Sequence, residues 1–318
     1  MKDVIIKEFG ILPLEIKKLN GYENENYLIK TEETRYIFKT YPAAKNTMSL
    51  LNAECDALLH LQNDKPSKTP APIPFLSGEY VKTIELESTT KCCRMLSFLP
   101  GIFLGEIDPN QTLIGNLGAF LAGVNKKLDS FDSDAIRARN YEWDLQNLKL
   151  NRKYISAVSD PKQRRVVSYF FQKFDLLVAP SIPELRKAYI HSDFNEWNVL
   201  VEGNKAIGLI DFGDMVYSPL VNEVATALCY LSYDKDSFFD WTTPFLQAYH
   251  KIIPLNKKEI GLLYYLIATK LCISVCQSAN ARVLQPENDY ASVSEKNAWK
   301  MLHKLLVLNP ISVENHFI

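Results

Sequence analysis

The chain has 318 residues, of which 47% are hydrophobic and 23% are charged, and its formal net charge is −1. This length accommodates one large domain or two lobes, and the apolar share is sufficient for a real core. A net charge so close to zero gives little support to nucleic acid or an anionic membrane as a partner, because both attract strongly basic proteins.

The beginning of the chain does not have the pattern of a signal peptide. Charges and a proline are scattered among its apolar residues, whereas a signal peptide needs an unbroken apolar stretch. The longest apolar run, GLLYYLIATKLCISV, is shorter than a membrane span and carries Lys270 in its middle. We therefore expect a cytoplasmic protein without a membrane segment. The six cysteines match neither a disulfide framework nor a paired zinc site, so free thiols are expected.

The first hundred residues predict a small antiparallel sheet with one helix. The segments NYLIKT and RYIFKTY, rich in β-branched and aromatic residues, predict two strands around a polar turn. After Pro42, an apolar stripe predicts a helix over residues 43–62 with Glu54 in its middle. A proline-rich stretch follows, and GEYVKTIELES and KCCRMLSFLPG then predict a second pair of strands.

Beyond Gly101 the pattern changes to long helices interrupted by one compact β-like insertion. Within the insertion, NVLVEGNKAIGLIDF predicts a hairpin with a polar turn. The helical patterns cover roughly residues 110–128, 142–157, 161–178 and 221 to the end of the sequence.

The β-like insertion carries the most specific pattern of the chain. In HSDFNEWN, Asp193 and Asn198 have the spacing of the protein-kinase catalytic loop, whose aspartate receives the substrate hydroxyl proton and whose asparagine holds magnesium. The hairpin then leads to a DFG sequence, in which Asp211 offers a second anionic oxygen. Because a hairpin brings its two ends together, we expect Asn198 and Asp211 to bind the same magnesium ion.

A lysine in the first half of the chain completes this pattern. Lys39, at the end of YIFK, occupies the place of the lysine that steadies the nucleotide phosphates. Such a lysine needs a carboxylate from the next helix to hold its flexible side chain extended. We therefore expect Glu54 to be the partner of Lys39.

Together these segments resemble the aminoglycoside phosphotransferase and choline kinase superfamily, and within it the hydroxylysine kinase-like proteins. The resemblance covers nearly the whole chain and is carried by GYENENYLIKT, YIFKTY, MLSFLPG, IHSDFNEWNVLV, GLIDFGDMVYSPLVNEVATAL and QPENDYASVSEKNAW. It implies an α+β, bilobal protein-kinase-like fold. The small antiparallel-sheet N-lobe, residues 1–99, would bind nucleotide, and the larger, mainly helical C-lobe, residues 100–318, would carry the catalytic and substrate-binding groups.

The resemblance also implies roles for individual residues. It makes Asp193 the catalytic base, Asn198 and Asp211 the magnesium ligands, and Lys39 the phosphate-binding lysine. ATP or GTP would be the donor, and a small hydroxylated amine or amino acid the acceptor. The linker that would frame the adenine consists of Leu96, Ser97, Phe98 and Leu99.

The phosphate loop departs from the protein-kinase pattern. In LNGYENENY only Gly21 stands where protein kinases have several glycines. Backbone amides near Gly21 and the side-chain amides of Asn24 and Asn26 are therefore the expected donors to the phosphate oxygens.

The sequence leaves the acceptor open between an amino acid and an amine. For an ammonium group we favour Asp214, which adjoins DFG, over Glu142, Asp144 and Glu223. For an amino-acid carboxylate, Arg282 is the candidate bidentate partner. A choline-type acceptor would need aromatic faces, for which the candidates are Tyr141, Trp143, Trp197 and Tyr217.

We rank hydroxylysine first as acceptor, homoserine second and choline- or ethanolamine-like amines third, with aminoglycosides as a further alternative. The non-enzyme alternative is a nucleotide-binding regulatory protein, against which intact Asp193, Asn198, Asp211 and Lys39 argue. A protein kinase is disfavoured because no APE segment follows DFG and the chain enters a helix within a few residues. The oligomeric state stays open.

Overall fold

The computed structural model describes residues 1–19, 24–63, 68–86, 88–233, 235, 237–284 and 295–317. The chain forms two compact units. The first unit contains residues 1–101, 133–136 and 207–213, and the second contains residues 102–132, 137–206 and 214–318.

The first unit is built on a six-stranded sheet in which every observed strand pair is antiparallel. Its main path runs β1–β2–β3–β6–β4, and β5 pairs with β6. The elements are α1 (Lys2–Phe9), β1 (Glu15–Leu19), β2 (Glu25–Lys30), β3 (Arg35–Pro42), α2 (Thr47–His60), β4 (Pro72–Ile73), β5 (Lys82–Leu86) and β6 (Thr89–Ser97). Both predicted strand pairs and the predicted helix are confirmed.

Two elements at the start of the chain were not predicted. Helix α1 places Ile5 and Phe9, four residues apart, on one face, where they pack with Phe38 and Met95 of the sheet. Strand β1 pairs with β2 although most of its side chains are exposed or half-buried. Only pairing with the rest of the sheet makes this polar segment a strand.

The sheet register brings polar side chains into one row. Asn26 on β2 stands opposite Lys39 on β3, and Lys39 stands opposite Arg94 on β6. Directly paired residues of antiparallel strands lie on the same face of a sheet. Helix α2 supplies Glu54 to this row through its ion pair with Arg94.

The elements beyond residue 101 are mainly helical. The strands are β7 (Ile102–Phe103), β8 (Lys187–Ile190), β9 (Val199–Glu202), β10 (Lys205–Leu209) and β11 (Val216–Pro219). The helices are α3 (Gln111–Leu128), α4 (Asp134–Arg137), α5 (Pro161–Lys173), α6 (Leu220–Leu231), α7 (Phe238–Ile252), α8 (Lys257–Leu284), α9 (Glu295–Val307) and α10 (Pro310–Phe317).

Two predicted helices differ from the structure. Residues 145–157 form tight turns of the 3₁₀ type, and Asn147 there has non-helical backbone angles. The side chains of Asn147 and Asn151 donate to backbone carbonyls of Tyr141 and Glu142, which is the competition that disfavours asparagine inside helices. Helix α5 ends at Lys173. The chain continues as a π-helical turn, Phe174–Val178, and then as 3₁₀-helical turns, Ala179–Glu184.

Helix α8 is the central element of the second unit. It is long and apolar enough to span a membrane, but 89% of its most apolar window is buried by the protein itself. The sequence analysis therefore underestimated the length of this helix, which has 28 residues. Lys270 lies in the middle of α8 and is fully buried. All six cysteines are free and buried.

Close helix packing and a tight turn each depend on one glycine. Helices α3 and α7 approach so closely at Gly118 that a Cβ atom there would overlap the carbonyl oxygen of Phe245. The predicted hairpin is confirmed, because β10 begins beside β9 after a turn in which Gly203 has a φ of 54°. Strand β8 pairs antiparallel with β11, and the loop from residue 191 to residue 198 joins β8 to β9.

Candidate active site

The loop between β8 and β9 is fixed by a buried carboxylate on α6. The backbone N–H of Ser192 donates to Glu223 Oε2 at 2.7 Å, and that of His191 donates to Oε1 at 3.3 Å. Ser192 has a φ of 67°, a strained conformation for a residue with a Cβ. His191 Nδ1 accepts a hydrogen bond from the N–H of Asp193. The loop therefore presents Asp193 in a defined position.

The carboxylate of Asp193 is held by three side chains and keeps one edge accessible. Oδ2 accepts from the amide nitrogens of Asn195 and Asn198, both at 2.8 Å. Oδ1 accepts from the hydroxyl of Tyr230 at 2.9 Å and lies 4.0 Å from Lys270 Nζ. The side chain retains 21% of its exposure. An oriented carboxylate with a free edge can receive a proton from a bound hydroxyl.

Lys270 and Tyr230 were missed by the sequence analysis. The signal for Lys270 was the isolated lysine in an apolar run, which was used only to argue against a membrane span. A lysine buried in a helix needs a charged partner, so the position itself pointed to a site. Tyr230 carried no such signal, because an aromatic residue in a helix is normally part of the core.

Asp214 belongs to the same group of side chains. Its Oδ1 accepts from the hydroxyl of Tyr141 at 2.6 Å. Burial and the charge of Asp193 raise the pKa of Asp214 to about 7, although Lys270 and the Tyr141 hydrogen bond act in the opposite direction. Trp143 joins the group through Lys270, whose Nζ lies 5.2 Å from the centre of its ring.

The other acidic candidates have structural partners. Glu142 accepts from Lys153 at 2.6 Å and from Gln277 at 3.0 Å. Asp144 is buried and accepts from the hydroxyl of Ser218 at 2.6 Å. Glu223 accepts hydrogen bonds from the backbone of the loop between β8 and β9. Our choice of Asp214 among the four carboxylates remains a prediction, and its position beside Asp193 favours it.

The predicted role of Arg282 in substrate binding is not supported by its position. Arg282 pairs with Glu295 at 2.6 Å, near the end of α8. It lies twelve residues beyond Lys270, which corresponds to about 18 Å along the helix axis. Arg282 therefore does not join the group around Asp193. The segment that follows this helix, QPENDY, residues 285–290, lies outside the described residues.

The aromatic candidates do not form a cage. Arg139 lies 3.8 Å from the ring centre of Tyr141, and Arg137 lies 4.2 Å from that of Tyr217. Trp143 faces Lys270, and Trp197 is 54% exposed and pairs with the ring of Phe103. Three of the four rings already face a cation of the protein.

In the first unit, Lys39 has a different partner from the one expected. Its buried Nζ lies 2.9 Å from Asp211 Oδ1, whereas Glu54 pairs with Arg94 at 2.6 Å. The prediction that Glu54 holds Lys39 is therefore wrong for this structure. Arg94 stands opposite Lys39 in the sheet, and its planar guanidinium is the better partner for a buried carboxylate. Burial is the largest influence on the pKa of Lys39 and lowers it, but the charges of Asp211 and Tyr41 and the hydrogen bond to Asp211 together outweigh burial and leave the pKa raised.

Asp211 and Asn198 each present an oxygen suited to a hard cation. Asp211 has a φ of 61°, and its side chain is 44% exposed. The amide nitrogen of Asn198 is used by Asp193, so its amide oxygen remains for a cation. Within the described ranges no three His, Cys, Asp or Glu side chains form a metal-binding group. Magnesium is normally held by one or two carboxylates together with phosphates and water, and the role of each of these two residues as a magnesium ligand stays a prediction.

The linker residues are anchored to neighbouring backbone. The N–H of Ser97 donates to the carbonyl of Ala71 at 2.8 Å, and its hydroxyl accepts from the N–H of Ala71. The N–H of Phe98 donates to the carbonyl of Arg35, whose guanidinium lies 3.9 Å from the Phe98 ring centre. Leu96 is buried and Leu99 is half-buried. Their role beside adenine stays a prediction.

The phosphate-loop candidates lie at the start of the sheet. Asn24 directly precedes β2, and Asn26 stands opposite Lys39. Gly21 lies outside the described residues. The structure therefore places one of the three candidates beside Lys39, and their contact with phosphate stays a prediction.

Comparison with known proteins gives a family match and near full-length relatives. The family described as phosphotransferase enzyme family (APH) matches residues 15–256. Hydroxylysine kinase of Danio rerio is 23% identical over 331 aligned positions, which cover 99% of this chain and 93% of that protein. Homoserine kinase of Methylobacillus glycogenes is 25% identical over 76% of this chain and 71% of that protein.

A solved structure gives the same fold. Amicoumacin kinase in complex with AMP-PNP, Ca²⁺ and Ami superimposes with a TM-score of 0.74 at 16% identity. The match covers 98% of this chain and 95% of the kinase. The α+β, protein-kinase-like fold expected from the sequence is therefore confirmed.

Proposed function

The chain belongs to the phosphotransferase enzyme family, and from that premise we propose that it phosphorylates a hydroxyl group of a small amino acid, with hydroxylysine as the first candidate. Membership makes it a small-molecule kinase, an ATP-dependent phosphotransferase that acts on hydroxyl groups. The sequence identity of about 25% to the named kinases leaves the acceptor open.

The observation that carries the proposal is the setting of Asp193. Its two carboxylate oxygens are oriented by Tyr230, Asn195 and Asn198, its side chain is 21% exposed, and Lys270 Nζ lies 4.0 Å from Oδ1. Its charge also raises the pKa of Asp214. The acceptor hydroxyl donates its proton to Asp193 as its oxygen attacks the γ-phosphorus. The bond from the γ-phosphorus to the β–γ bridging oxygen breaks, and ADP and a phosphate ester are the products.

The nucleotide is proposed to bind the first unit through Lys39. The ammonium group of Lys39 lies 2.9 Å from Asp211, so its position is fixed before nucleotide binds. Magnesium, when bound, would neutralise phosphate charge, and the oxygens of Asp211 and Asn198 are the proposed protein ligands. The carboxylate of Asp211 is 44% exposed, and Asn198 uses its amide nitrogen, not its oxygen, to bind Asp193.

The choice among acceptors rests on the charges around Asp193. A zwitterionic amino acid offers an ammonium group for Asp214 and a carboxylate for a cation. Homoserine is the second candidate, because it has the same head group and a kinase of this acceptor is among the relatives. Choline-like amines rank lower, since protein cations already face the rings of Tyr141, Trp143 and Tyr217.

The proposal is tested by an ADP-release assay with ATP and magnesium. The acceptors are 5-hydroxylysine, homoserine, ethanolamine, choline, a sugar and an aminoglycoside. Asp193→Asn keeps the shape of the side chain but removes the proton acceptor, so turnover is expected to fall by about 10²- to 10⁴-fold. Nucleotide affinity, measured by titration calorimetry, is expected to stay within about threefold.

Asp129→Asn is the matched control, because Asp129 is exposed at the end of α3. It is expected to retain wild-type turnover. If Asp193→Asn also retains it, Asp193 is not the catalytic base. Nucleotide binding without ADP release on any acceptor would instead support the regulatory-protein alternative.

A further inference from the structure

Lys270 is a buried cation whose nearest carboxylate oxygen lies beyond hydrogen-bonding distance. It is fully buried in the middle of α8. An ammonium group carries three hydrogen-bond donors and no acceptor, and burying it without hydrogen bonds is costly. Its surroundings therefore require an explanation.

The contacts of Lys270 balance its charge but do not satisfy its donors. The nearest carboxylate oxygen, Asp193 Oδ1, is 4.0 Å away, beyond hydrogen-bonding distance. The other neighbours are the rings of Trp143 and Tyr230, at 5.2 and 5.4 Å from Nζ. In the part of the chain that the structure describes, no hydrogen bond starts from Lys270 Nζ.

Other buried cations of the chain are arranged differently. Lys39 reaches Asp211 at 2.9 Å, and Arg94 reaches Glu54 at 2.6 Å. Both have a carboxylate of the protein within 3 Å, and each also donates a hydrogen bond, Lys39 to Asp211 and Arg94 to the hydroxyl of Tyr41. Lys270 shares its nearest carboxylate oxygen with the hydroxyl of Tyr230, which lies closer to it at 2.9 Å. The unused donors of Lys270 are thus beside the catalytic carboxylate rather than in the core.

We propose that Lys270 binds the carboxylate of the acceptor and thereby selects hydroxy amino acids over amino alcohols. This inference rests on the proposed function, since it assigns a contact within the same site. A carboxylate ligand satisfies the ammonium with charge-assisted hydrogen bonds, which are stronger than those between neutral groups. The acceptor hydroxyl then lies at Asp193 and its ammonium at Asp214.

The charge of the site agrees with a zwitterionic acceptor. Asp193 and Asp214 are two carboxylates in one region, and the effect of each on the other is unfavourable. Lys270 offsets part of this charge. An amino alcohol brings a cation without an anion, and it leaves the donors of Lys270 unsatisfied when it displaces water from them.

The competing explanation is that Lys270 only balances the charges of Asp193 and Asp214. The two explanations differ in selectivity. A charge-balancing lysine affects all acceptors equally, because every transfer uses Asp193. A carboxylate-binding lysine affects only the acceptors that have a carboxylate.

The test compares Lys270→Met with the wild-type enzyme on matched acceptors. Homoserine is paired with 3-aminopropan-1-ol, and 5-hydroxylysine with 1,5-diaminopentan-2-ol, which differ only in the carboxylate. For the wild-type enzyme, kcat/KM is expected to favour the carboxylated member by about tenfold or more. In Lys270→Met this ratio is expected to fall to about one, on top of any loss in kcat/KM that both members of a pair share because the charge beside Asp193 is removed.

Two further variants serve as controls. Lys257→Met removes an exposed lysine of the same helix, about 20 Å away along its axis, and is expected to keep the wild-type ratio. Lys270→Arg keeps the positive charge and is expected to retain a preference for the carboxylated acceptor. It also reports on selectivity if the methionine variant does not fold.

Binding measurements separate this inference from the proposed function. Calorimetric titration of 5-hydroxylysine and homoserine, and of their decarboxylated analogues, reports on Lys270 even if no acceptor is phosphorylated. Weaker binding of only the carboxylated compounds to Lys270→Met supports the inference. Equal losses for both members of a pair overturn it, as does a wild-type protein that binds neither amino acid more tightly than its analogue.

Discussion

The carboxylate of Asp193 depends on single neighbouring side chains for its orientation. The motif predicted Asp193 and Asn198, and the structure adds Tyr230 on the opposite oxygen. Each donor fixes one lone-pair direction, so a proton from the acceptor can approach only along the remaining edge. Catalysis of phosphoryl transfer is largely positioning, so the proposed role of Asp193 depends on these few hydrogen bonds.

Two ion pairs in the first unit give the buried cations Lys39 and Arg94 different partners. Lys39 pairs with Asp211, while Glu54 is committed to Arg94, which also donates to the hydroxyl of Tyr41 at 2.8 Å. A buried charge that loses its partner destabilises a protein strongly. Glu54 is thus expected to stabilise the fold rather than to hold Lys39.

Glu54→Gln is expected to lower the free energy of unfolding by about 3 kcal/mol, because it leaves Arg94 buried without a counter-charge. The KM for ATP is expected to change by less than about threefold, since Lys39 keeps Asp211. Thermal unfolding and steady-state kinetics measure the two effects. Glu33→Gln, at an exposed turn, is the control and is expected to change neither. A tenfold rise in KM without a loss of stability would show that Glu54 acts on Lys39 after all.

At the level of elements, helix α6 orders the loop that carries Asp193. Glu223 and Tyr230 are seven residues apart, which corresponds to about two turns, and therefore lie on the same face. Glu223 holds the backbone of the loop and Tyr230 holds the side chain of Asp193. One helix face thus fixes both the position and the orientation of the proposed base.

Tyr230→Phe tests the second of these contacts. The variant removes one hydrogen bond to a charged group, which is worth about 1.5–3 kcal/mol, so kcat is expected to fall by about 10- to 100-fold. Nucleotide affinity is expected to be unchanged. Tyr169→Phe, which removes a hydroxyl from a 41% exposed residue of α5, is the control. Wild-type kcat in Tyr230→Phe would mean that Asn195 and Asn198 suffice to orient Asp193.

At the scale of the whole molecule, local patterns predicted most of the elements. Alternating and helical periodicities located strands β2, β3, β5 and β6 and helices α2 and α3. These segments bury one face regardless of their distant partners, so their sequences carry the signal. The resemblance to a kinase superfamily then predicted the fold, which is confirmed, and the role of Asp193 as catalytic base, which stays a prediction.

What the sequence did not predict depends on contacts between distant segments. Strand β1 is polar, and only its pairing with β2 makes it a strand. Lys39 pairs with Asp211 and not with Glu54, because Glu54 pairs with Arg94, which stands opposite Lys39 in the sheet. Lys270 becomes part of the site only because α8 passes beside Asp193. No local pattern encodes these distances.

The buried carboxylates connect the site to the pH dependence of the whole protein. Burial, the first cause in each case, raises the pKa of Glu223 and that of Asp214 to about 7. In the unfolded chain both groups titrate near pH 4. Between these values the folded protein holds protons that the unfolded chain releases, so rising pH favours unfolding.

For Glu223 this stabilising contribution is complete below about pH 4 and is lost as the pH rises through about 7, with a total on the order of 3 kcal/mol. Glu223→Gln keeps one accepting oxygen for the loop that carries Asp193, loses the other to an NH2 group, and cannot ionise. Its melting temperature is expected to lie below that of the wild-type protein at pH 5, and the difference is expected to shift by several degrees in favour of the variant between pH 5 and pH 8. Thermal unfolding from pH 5 to pH 8 measures this difference, with the exposed Glu202→Gln as control. Parallel curves for Glu223→Gln and the wild type would show that Glu223 stays ionised in the folded protein, with the hydrogen bonds from Ser192 and His191 compensating fully for its burial.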